Sequence, residues 1–232
     1  MDELFILFLK WFGVLCTIFV SVAGLFWMGS RDAEWDMCLP MWANMVLAAV
    51  CGLNSLCILL LGNSCFIKDL LLGWLAGSLV AAAVMDLWNQ MVYRFVWWSA
   101  GAAMIGIWLL HFYTEKMAGE NTGQIVSYAL RQIFPGLMLY IIIQHTVFGR
   151  LYGRADCHAF GICAVGMAVL GMTFEDFAIH MVLAYFGLTV VQFLSGNIAQ
   201  GGRLKKPVPF VPYIVAAFWL WVDFNVRKWY IY

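Results

Sequence analysis

Apolar residues in this chain fall into about eight long runs separated by short polar breaks, and that arrangement leaves few folds open. A helix needs roughly 20 apolar residues to cross a bilayer. The runs lie near 4–28, 41–62, 66–86, 94–112, 125–148, 157–173, 177–195 and 209–226. The chain is 64% hydrophobic and only 11% charged, with a mean hydropathy of +0.86, well outside the range of a water-soluble domain. The expected fold is therefore all-α: a polytopic integral membrane bundle of about eight transmembrane helices. The connectors are short: Gly29 to Pro40 is acidic, Tyr113 to Gly123 polar, and Gly196 to Lys206 Gly-rich and then basic. They leave no room for an extramembrane domain. The first run is longer than the apolar region of a signal peptide, and its flank, Met1-Asp2-Glu3, is acidic instead of basic, so it reads as a retained span.

Thirteen basic and thirteen acidic residues cancel, and no basic tract occurs, which excludes nucleic acid as a partner. The seven cysteines are odd in number, lie mostly in apolar runs and never form a C-x-x-C pair, so most of them read as small buried hydrophobes. His111, His145 and His180 have no second ligand at metal spacing, and HExxH is absent. Neither a metal nor another cofactor is expected.

Asp86 and Asp156 each sit at the end of an apolar run. A carboxylate in hydrocarbon costs on the order of 2.5 to 3.5 kcal/mol at a helix centre, so acids retained at such places suggest a task. Taken singly, each also fits a plain helix-end role, Asp156 as an N-cap and Asp86 as a solvated terminus. Eight spans would put the loops after the first, third, fifth and seventh helices on one face. Asp86 borders the third-helix loop and Asp156 the fifth-helix loop. The acids would then share a face whichever way the chain inserts. Those loops hold Arg31, Arg94, Arg150, Arg154, Arg203, Lys205 and Lys206, against a scattered opposite set including Lys68, Lys116, Arg227 and Lys228, which favours a cytoplasmic location for both aspartates. Two neighbouring carboxyls cannot both ionise cheaply, and a pair sharing one proton can activate a water and protonate a scissile carbonyl.

Three segments resemble the type IV prepilin peptidase family, membrane aspartic proteases that share a GxGD motif with presenilin-like enzymes. Asp86-Leu87, followed by Val92-Tyr93-Arg94, resembles the family's first-aspartate segment. Gly153-Arg154-Ala155-Asp156 resembles the GxGD turn, with Ala155 in place of the second glycine and His158 where a lysine usually follows. Lys206-Pro207-Val208-Pro209-Phe210-Val211-Pro212 resembles the lysine, proline and Pro-Phe-x-Pro signature before the last core helix. The similar region runs from about Cys65 to Trp221, which suggests two amino-terminal helices over 1–64 and a six-helix GxGD aspartic protease core over 65–232.

The resemblance implies a multi-pass aspartic endopeptidase of the cytoplasmic membrane, its active site facing the cytoplasm, that removes leader peptides from type IV pilin-like precursors in contact with membrane lipid. Asp86 and Asp156 would be catalytic; Gly153, Ala155, His158, Lys206, Pro207, Pro209 and Phe210 would bind substrate or support the site. The family's cysteine-rich zinc module has no counterpart in Gly29 to Pro40, so a minimal form without N-methyltransferase activity is expected. The rival readings are a non-catalytic scaffold or transport component of a pilus or secretion system with the same fold, and a presenilin-like protease cutting within a transmembrane helix. A serine nucleophile, Ser78 in Ala76-Gly77-Ser78 with His180, is a weaker alternative, because small residues more often let helices approach closely.

Overall fold

The computed structural model describes residues 2–31, 41–60, 65–117, 121–145, 153–195 and 208–229, and these form α-helices and short turns with no strand. Among the described residues eight helices follow in order: α1 (Asp2–Gly29), α2 (Met41–Leu60), α3 (Phe66–Asn89), α4 (Arg94–Met117), α5 (Thr122–His145), α6 (Arg154–Val169), α7 (Phe174–Leu194) and α8 (Val211–Trp229). Each apolar run read from the sequence is matched by a helix. Four of them, over Phe5–Gly29, Phe66–Asn89, Arg94–Thr114 and Phe174–Leu194, are long and apolar enough to cross a membrane. Large apolar side chains point outward along these helices, among them Phe186 and Phe193 at 66% and 73% exposure. Water would penalise so much bare apolar surface, whereas lipid is its natural neighbour, as expected of a multi-pass membrane protein.

The described residues divide into two compact units, one of 1–81, 93–125 and 226–232, the other of 82–92 and 126–225. In the first, α1 packs along α2 and is approached closely by α3. The close approach depends on Gly73 and Gly77, one turn apart in α3. A β-carbon on Gly77 would stand 2.8 Å from the Ile18 carbonyl oxygen, and one on Gly73 would stand 3.2 Å from that of Val14. The Ser78 hydroxyl belongs to this packing: it lies 2.9 Å from Ser99 Oγ and donates to the Trp74 carbonyl, while Trp74 Nε1 donates to Ser99 at 2.9 Å. Such bonds between helices replace the water that hydrocarbon cannot supply.

In the second unit α6 is buried along nearly its whole length, as a helix apolar on all sides should be. It lies tight against α5. A side chain at Gly136 would strike Ala164, Val165 and Ala168, and one at Gly161 would overlap the ring of Tyr140. A turn at Gly171, with φ of 79°, leads into α7, whose first turn is closed by Thr173 and Asp176. The Asp176 carboxylate accepts from the Thr173 N–H and hydroxyl through one oxygen, and from Trp221 Nε1 and Asn225 Nδ2 through the other, tying α7 to α8. His180, fully buried among Phe160, Phe177 and Phe218, lies with Nε2 2.9 Å from the Ile214 carbonyl and makes a second link between the same helices.

Candidate active site

Asp86 falls within the last turn of α3 and is 5% exposed. The helix stops four residues later at Gln90, which takes φ of 54° while its N–H reaches back to the Asp86 carbonyl at 2.9 Å. A left-handed glutamine costs about 1 kcal/mol relative to glycine, strain of the kind that gathers at functional sites. The Asp86 Oδ2 accepts the backbone N–H of Val211, the first residue of α8, at 3.0 Å, and the Phe210 amide is its second backbone partner. The prolines explain this local structure. Pro209 and Pro212 carry no N–H and restrict the backbone around Phe210-Val211, so the amides between them are the donors this segment offers.

Asp156 is the third residue of α6, not its N-cap. The cap is Gly153, with φ of −61° and ψ of 153°, and its N–H donates to Asp156 Oδ2 at 3.2 Å, half of a capping box. Gly153 does not need glycine's backbone freedom at that φ. Its missing side chain leaves room for the carboxyl: a β-carbon would stand 3.3 Å from Asp156 Oδ2 and press on it. Ala155 lies in the helical first turn, where φ is negative and a methyl group is accommodated, so this backbone does not demand a second glycine.

Both carboxyls line one cavity of about 410 Å³ within the second unit, together with Gln90, Gly153, Arg154, Ala155, Pro209 and Phe210. Asp156 is pushed up to about 6, by burial first and by the negative charge of Asp86 second, with the Gly153 N–H opposing both. Charge repulsion between the two acids is the electrostatic mark of neighbouring carboxyls. A polar, partly enclosed space with two carboxyls and a fixed backbone donor can hold a water and the carbonyl it attacks.

Of the supporting residues read from the sequence, Gly153, Ala155, Pro209 and Phe210 border the cavity. His158 does not line it; its Nδ1 is within 2.8 Å of the Tyr140 hydroxyl and 3.1 Å of Gln144 Nε2, on α5. Lys206 and Pro207 lie outside the described residues. Sequence reasoning missed Gln90, Arg154 and the backbone of Val211. Arg154 stood inside the motif already singled out, whereas the left-handed Gln90 and the Val211 donor had no signal in residue type. Ser78 and His180 are engaged elsewhere, with Trp74 and Ser99 and with Ile214. Among the described residues no group of three or more His, Cys, Asp or Glu is arranged to hold a metal ion. No protein-family model, curated protein or solved structure matches this chain.

Proposed function

We propose that this protein is a membrane aspartic endopeptidase that removes the leader peptide from type IV pilin-like precursors at the cytoplasmic face, with Asp86 and Asp156 as the catalytic pair. The observation that carries the reading is that two acids far apart in sequence line one cavity, where the charge of Asp86 acts on Asp156. The pair would work with one proton between them. The ionised carboxyl takes a proton from water as its oxygen attacks the scissile carbonyl. The protonated carboxyl donates to the carbonyl oxygen, and proton transfer to the departing amine then breaks the C–N bond without an acyl-enzyme. The Val211 N–H fixes one Asp86 oxygen. Pro209 and Phe210 border the cavity, so an extended substrate backbone would run beside the segment before α8. Eight membrane crossings, no cofactor and no methyl transfer complete the proposal.

Co-expression with a prepilin in membranes tests it. Wild type should shorten the precursor, and Asp86→Asn and Asp156→Asn should each abolish cleavage while the protein still accumulates in the membrane. Processing at the wild-type rate by either variant would sink the dyad. Mapping the cut inside the apolar helix instead of at the leader junction would turn the reading toward a presenilin-like protease.

A further inference from the structure

A second cavity of about 490 Å³ opens in the same unit, between α5, the end of α6 and the start of α7. Its wall is mainly apolar, formed by Leu139, Gly136, Ala164, Ala168 and Phe177, and its one charged residue is Arg131. The Arg131 side chain is exposed and has no hydrogen-bond or ion-pair partner among the described residues. The nearby acids do not answer it. Neither Glu175 nor Asp176 lines the cavity, and the Asp176 oxygens are filled by Thr173, Trp221 and Asn225.

The cavity sits at the polar break between α6 and α7. α6 ends at Val169, α7 begins at Phe174 with Glu175 and Asp176 in its first turn, and Arg131 of α5 lines the cavity together with Gly171, Met172 and Thr173 of that break. In a membrane this is headgroup depth. Pro135 also has no N–H to give the Arg131 carbonyl. Asp156 is at the other end of α6, and 16 helical residues span about 24 Å, so this place lies toward the opposite leaflet from the acids.

We infer that this cavity binds one anionic phospholipid, its phosphate diester paired with Arg131 and an acyl chain laid along Leu139, Gly136 and Ala164. A lone cation beside an apolar groove at headgroup depth matches both ends of such a molecule, and one arginine favours an anionic over a zwitterionic lipid by roughly fivefold. The inference does not depend on the peptidase reading.

Native mass spectrometry of the full chain, exchanged in detergent with phosphatidylglycerol or phosphatidylcholine, tests it. Wild type should retain one phosphatidylglycerol about fivefold more tightly than phosphatidylcholine. Arg131→Gln should lose that preference, and Arg131→Lys should keep most of it. Leu139→Trp, which fills the groove while leaving the charge, should release the bound lipid. Equal retention of the two lipids by wild type overturns the inference and needs no variant to fold; so does an unchanged preference in folded Arg131→Gln. Displacement of phosphatidylglycerol by excess inorganic phosphate overturns the lipid assignment in favour of a free-anion site.

Discussion

Asp86 occupies the carbonyl end of α3, where a negative charge is disfavoured by about 0.3–1 kcal/mol, whereas Asp156 and Asp176 stand in the first turns of their helices, where it is favoured. Asp176 is held by four donors and accounts for itself structurally. The acids at the cavity accept fewer hydrogen bonds and border open space. This contrast separates a structural acid from candidate chemical ones. Two outcomes follow at this scale. Gly153→Ala should push the Asp156 carboxyl aside by a few tenths of an ångström and lower cleavage roughly tenfold with little loss of melting temperature, while Ala155→Gly should leave cleavage near wild type. Parallel initial rates and thermal melts check both. The second outcome concerns charge. Asp156 titrates near 6 because burial and Asp86 favour its neutral form, so Asp86→Asn should lower that value while burial keeps it above the ordinary carboxylate range. Carboxyl-stretch infrared titration reads this directly. Because an acid raised by folding binds its proton more tightly in the native state, its contribution to stability falls as pH rises from about 4 through about 6.

Helix ends and helix contacts decide where these side chains stand. α8 begins between two prolines, and the Val211 N–H, an orphan of any helix start, goes to Asp86. α6 is packed against α5 by Gly136 and Gly161, and that packing sets Tyr140 and Gln144 against His158. The α7–α8 pair is held by Asp176 and His180. Asp176→Ala removes a cap and two links to α8, and a loss of about 2 kcal/mol is expected, measured by thermal or denaturant unfolding in detergent. Cleavage at permissive temperature should survive, since Asp176 does not line the cavity with the two acids.

For the whole molecule, the proposed eight crossings would put positions beside Asp86 and Asp156 within reach from one side of the membrane. Single cysteines at Trp88 and Arg154, in a background cleared of native thiols, should react with an impermeant maleimide from the same compartment. Labelling from opposite sides would break the proposed pair. The helices of the described residues were legible because each apolar run ends in polar, Gly- or Pro-containing breaks, and apolar length is a property of the chain alone. Both aspartates were legible too, since acids at the edges of such runs stand out by cost. The Asp156 cap was misread by three residues, because the preference of aspartate for helix starts does not distinguish the N-cap from the first turn. The αL backbone of Gln90 was hidden, as glutamine carries no signal for it.

The sequence by itself determined that this chain is helical and membrane-embedded and which of its acids are costly, because solvent preference is written residue by residue. Only the tertiary structure decided that Asp86 receives the Val211 amide, that both carboxyls open on one cavity, and that His158 turns to α5 instead. Those outcomes depend on how helices distant in sequence pack against one another, and close packing is settled by the joint fit of many side chains.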